Sequence, residues 1–299
     1  MISLYKCNLC PRNCNVNRKV ERGFCGAKDK MVVARFSLHK WEEPPISGDN
    51  GSGTIFFSGC NLRCIYCQNY KISEELHGKE ITESELADIC LKLEKSGAYN
   101  INIVTGTHFI PLIKDGLLLA KEKGLSIPIV WNSSGYESVE ALKELDGIVD
   151  IYLPDLKYFD DKLAIKYSSC NNYFEYATEA LDEMYKQVGN PVFENDLMKK
   201  GMIVRHLMLP DHLEDSKKII KYLYDTYKDN IYISIMNQYT PVRKTKYHNL
   251  NNKLKEKDYD ELINYALDLG IKNAFIQEGE TQDESFIPDF DKFDAIEKD

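Results

Sequence analysis

The chain has 299 residues, 43% of them hydrophobic and 28% charged, with 10 Pro and 17 Gly, which excludes a disordered or fibrous chain and fits one large α/β domain or two smaller ones. Its net charge of −9 argues against a non-specific nucleic-acid binder, which needs a positive surface to displace counterions. No apolar run approaches the roughly 20 residues of a membrane helix. The N-terminus "MISLYKCNLCPRNC" has no apolar signal core, so the sequence reads as cytoplasmic and without a membrane partner.

Residues 1–50 read as loop-rich, with a basic stretch "NRKVER" and the turn-forming "EEPPISGDNGSG". From residue 53 short β-branched runs alternate with amphipathic stretches. Strands are predicted at 54–58, 100–105, 127–132, 148–155, 203–209 and 231–236, with a weaker one at 273–277. Helices are predicted at 82–96, 110–123, 138–145, 173–188, 213–227 and 258–269, the first opened by a capping box from Thr82 to Glu85. Strands apolar on both faces and alternating with helices indicate an α/β fold with a parallel sheet, a (β/α)6-type partial TIM barrel. An open flavodoxin-like sheet competes, since periodicity does not separate the two. The predicted organisation is a cysteine-rich metal-binding segment and linker over 1–50, the barrel over 51–280, and a tail over 281–299 that packs by its phenylalanines.

Seven of the nine cysteines lie within the first 67 residues, whereas Cys90 and Cys170 stand alone and read as packing residues. Clustered cysteines in a reducing compartment point to metal. Cys60, Cys64 and Cys67 form C-x3-C-x2-C immediately after the first predicted strand, where α/β folds place their ligands. Three thiolates on one tight loop hold three corners of a cubane iron–sulfur cluster and leave the fourth iron open for chemistry. A zinc site completed by a distant Cys or His is the plainer alternative. Cys7, Cys10, Cys14 and Cys25 form a second set, C-x2-C-x3-C-x10-C, read as structural zinc or a second iron–sulfur cluster.

With Tyr66 as the aromatic, the triad matches C-x3-C-x-aromatic-C and resembles the radical S-adenosylmethionine (AdoMet) superfamily. The stretches "GTIFFSGCNLRCIYCQNY", "PDLKYFDD" and "IVRHLMLP" are similar to activating enzymes of glycyl-radical enzymes. The N-terminal "CNLCPRNC" and "WEEP" resemble an uncharacterised branch of that group, and the likeness runs from about residue 7 to about 277. The resemblance implies a [4Fe-4S] cluster whose open iron is chelated by AdoMet, reductive cleavage to a 5′-deoxyadenosyl radical, and hydrogen abstraction from a substrate. It also implies reduced flavodoxin or ferredoxin as electron donor. The substrate, whether a glycyl-radical enzyme, a peptide or a small molecule, is left open.

Residue by residue, the resemblance implies that Asp155 and Lys157 reach the ribose and methionyl groups of AdoMet. It places Asn132 and Ser133 near AdoMet and a monovalent cation, and Arg205 or His206 toward the cofactor, of which strand alternation lets only one point inward. Where that superfamily has Gly-Gly-Glu-Pro, this sequence has Thr105, Gly106, Thr107 and His108, so hydroxyls or backbone carbonyls stand in for the acidic contact. His108 is a substrate candidate, with a surface histidine as the alternative. Glu43 is another, with Glu42 beside it, weighed against a solvated charge pair. A non-catalytic metal module has no use for the polar runs along the rim. A zinc hydrolase would gather histidines around the triad, and the 6 present do not do so.

Overall fold

The computed structural model describes residues 2–277 and 288–296. Ten strands run β1 (Met31–His39), β2 (Ser52–Phe57), β3 (Lys79–Ile81), β4 (Ile101–Val104), β5 (Ile129–Ser133), β6 (Ile151–Pro154), β7 (Val192–Glu194), β8 (Leu197–Leu207), β9 (Tyr232–Met236) and β10 (Ala274–Ile276). They form one sheet in the order β10-β9-β8-β6-β5-β4-β2-β1-β3, with β7 paired on β8. From β2 through β10 every pairing along that path is parallel. Helices α3 (Glu83–Lys95), α4 (Ile110–Glu122), α5 (Val139–Leu142), α6 (Asp161–Ser168), α7 (Tyr173–Val188), α8 (Leu213–Tyr227) and α9 (Glu256–Asp268) connect them. The result is six βα units closed by a seventh parallel strand, the partial barrel expected from the alternation.

Local chemistry explains the helices that pack the outside. In α3 the hydroxyl of Thr82 accepts from the backbone of Glu85 while Glu85 returns a bond to the Thr82 N–H, so two orphan donors are satisfied at once. Leu86, Ile89, Cys90 and Leu93 then form its buried stripe, and each fully buried Leu or Ile contributes about 1.5–3 kcal/mol. Cys90 and Cys170 are both fully buried, as packing residues should be.

Two cores follow from strand alternation. Outward-facing Ile103, Trp131, Tyr152 and Val204 pack under the helices, in the main core. Inward-facing Val130, Ile151, Leu153 and Ile203 form a second, inside the barrel, with Met198 and Ile46. Ile46 belongs to α1 (Pro44–Ser47), a single turn that enters the lower end of the barrel and fills it.

Three parts differ from the sequence reading. Residues 31–39, expected as loop, form β1, antiparallel to β2 and carrying β3 on its far side. Val33, Ala34, Phe36 and Ser37 are buried, so the strand is held by packing on both faces that local propensity does not reveal. Residues 161–168 form α6, opened by Asp160, which accepts from the Lys162 N–H. β7 and the start of β8 form a hairpin where no strand was expected. The two described phenylalanines of the tail pack: Phe290 stands edge-on to Phe56 and Phe293 edge-on to Phe36. The remainder of the expected tail, 281–287 and 297–299, lies outside the described residues. Among those described, no helix is long and apolar enough to cross a membrane.

Candidate active site at the strand C-termini

The loop after β2 turns on Gly59, whose φ of 91° and contact with the Cys25 carbonyl leave no room for a side chain. It carries the three thiols to a cavity of about 220 Å³ lined also by Thr105, Asn132, Ser134, Asp155, Lys157 and Arg205. These come from the ends of β4, β5, β6 and β8, which the sheet brings to one rim. Donors already surround the sulfurs. The backbone N–H groups of Leu62 and Arg63 point at Cys60 Sγ (3.4 and 3.5 Å). Ser73 Oγ donates to Cys67 Sγ (3.5 Å) and Ser168 Oγ to Cys64 Sγ (3.1 Å). A hydroxyl chain continues from Ser168 to Tyr158 to Tyr66, at 2.7 and 2.8 Å, which fixes the ring of the motif aromatic against the cavity.

Such donors are what a thiolate-bound cluster needs around its sulfurs. Among the described residues no three His, Cys, Asp or Glu side chains are arranged to hold a single ion. A cubane does not ask for that, because its thiolates sit on separate irons and stand further apart than ligands of one metal. Burial, and then the neighbouring thiols, push Cys60 up to about 12, so a metal entering here displaces protons.

Opposite the triad stands a buried charge network. Arg205 donates from Nε to Asp155 Oδ1 (2.9 Å), from Nη1 to Glu42 Oε2 (3.2 Å) and from Nη2 to Asn132 Oδ1 (2.6 Å). Lys157 Nζ donates to Asp155 Oδ2 (2.6 Å). The Glu42, Arg205, Asp155 and Lys157 side chains are only 9–15% exposed. Burial alone would raise Asp155, but Arg205 and Lys157 overcome it and hold the carboxyl below its usual range. Burial would likewise lower Lys157, yet Asp155 and the Cys64 thiol keep it above the ordinary lysine value. Lys157 has three donors and spends one on Asp155, leaving two for an incoming carboxylate.

Several expected residues stand elsewhere. His206 points out of the barrel, with Nδ1 on the Leu156 carbonyl (2.8 Å) and Nε2 on Ser216 Oγ (2.9 Å), so of the pair Arg205 is the one that faces the cavity. His108 is neither substrate-facing nor on the surface. It is 1% exposed behind the cysteine loop, its Nε2 donating to the Ser58 carbonyl (2.8 Å). Thr107 donates to Glu137 Oε1 (2.8 Å), a buried carboxylate that also accepts from Trp131 and Ser133. Gly106 packs so tightly on Ile103, Ile113 and Trp131 that a Cβ would meet each within 2.8 Å. Only Thr105 of that run lines the cavity. Asn132 bonds to Arg205 and Glu42, and the Ser133 hydroxyl donates to Glu137, so both side chains already have protein partners. The next residue, Ser134, has the free hydroxyl: its Oγ is buried at the cavity wall with no hydrogen-bond partner among the described residues.

Glu42 and Glu43 are not a solvated pair. Both enter the barrel interior ahead of α1, where Asn102 donates to Glu42 Oε1 (3.2 Å) and Glu43 Oε2 finds no partner among the described residues. Burial raises both carboxyls against the pull of Arg205. Glu43 sits below the cavity and does not line it, so it is no substrate contact. Sequence reasoning missed Glu42 as a partner of Arg205 and Ser134 as the free hydroxyl. Gln238, in the polar run "NQY" that the sequence places at a strand end, adds a carbonyl that accepts from Gln68 (2.6 Å) across the mouth. The two glutamates ahead of a Pro-Pro turn were the one available signal.

Fold and site together define a barrel enzyme with its chemistry on the C-terminal rim of a parallel sheet. Residues 54–223, more than half of the chain, match the Radical SAM superfamily, and the chain belongs to that family. It is 33% identical over 273 residues to an uncharacterized protein of Methanocaldococcus jannaschii, covering 87% of this chain and 74% of the relative. It is 28% identical over 241 residues to the pyruvate formate-lyase-activating enzyme of Clostridium pasteurianum, covering 78% and 93%. Among solved structures, anSMEcpe with bound AdoMet superposes with a TM-score of 0.51 at 18% identity, over 74% of this chain and 61% of the other. Streptococcus suis SuiB with its precursor peptide gives 0.51 at 12% identity, over 74% and 47%. The protein is therefore an enzyme of the radical SAM class, and the family implies a [4Fe-4S] cluster and AdoMet.

Proposed function

We propose that Cys60, Cys64 and Cys67 would hold the cluster, that Asp155 and Lys157 would hold AdoMet, and that the substrate is a protein or peptide. The carrying observation is the single cavity in which three thiols, each with a hydrogen-bond donor at its sulfur, face a lysine with two free donors and an unpartnered serine hydroxyl. Together the bound groups supply reductive carbon–sulfur cleavage and hydrogen-atom abstraction.

This chain's own residues orient and shield. Lys157 offers its ammonium to a ligand carboxylate, and Asp155, with lone pairs to spare beyond its two ion pairs, accepts from a ribose hydroxyl. Arg205 does not touch the ligand in this reading; it fixes the Asp155 carboxylate with help from Glu42 and Asn132. Ser134 supplies a hydroxyl to a chain that has no Gly-Gly-Glu-Pro turn to meet the ligand's ammonium. Tyr66, held by Tyr158, walls the cavity from water. The 28% identity to an activating enzyme supports a glycyl-radical enzyme as the protein substrate; reduced flavodoxin or ferredoxin is the electron donor that goes with this reading.

The test is anaerobic reconstitution, then dithionite and AdoMet, with 5′-deoxyadenosine measured. Its formation, abolished by Cys64→Ala, is expected; none from a fully reconstituted, reduced protein refutes the reading. An activase consumes one AdoMet per partner activated, whereas sustained turnover on a free peptide points to a modifying enzyme.

A further inference from the structure

The N-terminal segment, which the radical SAM match does not reach, carries a buried positive charge that stands over the Phe109 ring but has no carboxylate beside it among the described residues. Arg18 is fully buried. Its guanidinium donates to the Lys28 carbonyl from Nε (3.0 Å) and again from Nη2, and to the His108 carbonyl from Nη1 (2.7 Å). Among the described residues no carboxylate pairs with it. Carbonyls and a ring face compensate a buried guanidinium only in part, so an anion beside it is favoured. Among those residues the acidic groups near Arg18 are thiols: Cys7, whose Sγ lies 4.0 Å from Nη1, and Cys25, on which its charge acts.

Cys7 is one of four thiols on that segment: Cys7, Cys10 and Cys14 all lie close enough to Cys25 to interact with it electrostatically. Two short loops present them. In the first, the N–H of Asn15 bonds to the Cys7 carbonyl (2.9 Å) and that of Asn13 to the Cys10 carbonyl (3.0 Å). In the second, the N–H of Gly26 bonds to the Gly23 carbonyl (2.9 Å), turning Cys25 back toward Cys14. The sulfurs of Cys25 and Cys14 lie 3.4 and 3.8 Å from where a Gly23 Cβ would stand, and the Phe24 N–H points at Cys14 Sγ (3.4 Å). None of the four is in a disulfide.

We infer that Cys7, Cys10, Cys14 and Cys25 bind one thiolate-ligated metal centre, separate from the AdoMet cluster, with Arg18 as its counter-charge. Four thiolates around a zinc ion, or around a [4Fe-4S] cluster in its oxidised resting state, leave a net charge of about −2. That negative charge is what the buried guanidinium answers. The thiols converge without standing at single-ion spacing among the described residues. Zinc and a cluster share the thiolate chemistry, and metal analysis separates them.

The centre also sits against the catalytic loop. Cys60 N–H donates to the Cys25 carbonyl (3.3 Å). Arg12, between Cys10 and Cys14, reaches the carbonyls of Asn61 (2.8 Å), Leu62 (3.4 Å) and Ser168 (2.8 Å). It thus ties the cysteine loop to the AdoMet-cluster loop and to the end of α6.

The experiment removes the AdoMet cluster first. A Cys60→Ala/Cys64→Ala/Cys67→Ala variant, purified anaerobically, should retain one zinc per chain, or iron with matching sulfide, bound through sulfur by X-ray absorption. Adding Cys7→Ser and Cys10→Ser should remove that metal. Arg18→Gln in the triple background should release it to a chelator about tenfold faster, the lower end of the effect of losing a supporting contact. A folded triple variant with no metal and four freely alkylated thiols overturns the inference, as does metal ligated by nitrogen or oxygen. If the triple variant does not fold, the wild type decides: zinc on four sulfurs, or iron beyond one cluster per chain, supports the site, and neither overturns it. This count does not depend on AdoMet cleavage, so it can fail or succeed independently of the proposed function.

Discussion

Replacing Glu42 by alanine tests whether the barrel interior is organised around Arg205. Glu42 Oε2 accepts from Arg205 Nη1 at 3.2 Å, and Oε1 accepts from the amides of Asn102 and Asn132 at 3.2 and 3.4 Å. Loss of the charge-assisted bond costs about 1.5–3 kcal/mol, and each amide left without an acceptor about 1 kcal/mol more. Against this, removing a carboxyl that burial has already raised relieves desolvation and repulsion from Glu43 and Asp155. Breaking one side of a buried ion pair costs about 3–5 kcal/mol, so the loss outweighs the relief. Glu42→Ala should therefore lower the unfolding free energy of the apo protein by about 3 kcal/mol, measured by urea denaturation with circular dichroism under reducing conditions. Glu42→Gln, which retains an acceptor, should cost less than half of that. A Glu42→Ala change within about 0.5 kcal/mol would mean that the residue is solvated, and the picture of a strut beneath Arg205 would be wrong.

Three more outcomes follow from the geometry. Burial, more than any neighbour, pushes His206 down to about 4 from an ordinary 6.5; the folded form therefore binds fewer protons than the unfolded one. Its contribution is complete above pH 6.5 and lost as pH falls through 4, on the order of 3 kcal/mol; His206→Gln should flatten that part of the stability–pH curve. Gly59→Ala forces a side chain onto the Cys25 carbonyl at 2.7 Å with φ at 91°, and should cost about 1–3 kcal/mol in thermal unfolding. Lys157→Met should weaken AdoMet binding to the reconstituted enzyme by about tenfold or more, read by calorimetry, for loss of a charged partner worth roughly 1.5–3 kcal/mol; unchanged affinity would place AdoMet elsewhere.

What the sequence made legible was local or periodic. Strand–helix alternation located the six βα units, and the spacing of Cys60, Cys64 and Cys67 marked the rim. Pairings across long separations stayed hidden. Glu42 meets Arg205 across 163 positions, and no pattern near either residue announces it. Alternation said that one of Arg205 and His206 faces inward; the register of β8 between β6 and β9 decides which. His108 looked like a lone polar residue because the segment that buries it lies 90 residues upstream, at Arg18. β1 was missed for a related reason, since its partners β2 and β3, not its own residues, make it a strand.

The single turn of α1 that fills the lower end of the barrel has a kinetic consequence. With Ile46 seated among Val130, Ile151 and Ile203, traffic through that end is blocked. Everything that comes and goes shares the rim where the cysteine loop lies. A macromolecular substrate resting on that mouth would trap whatever is already inside. In the proposed function AdoMet would then load before such a substrate docks, and its products would leave only after it. A plug four residues long would thereby set the order of binding and release.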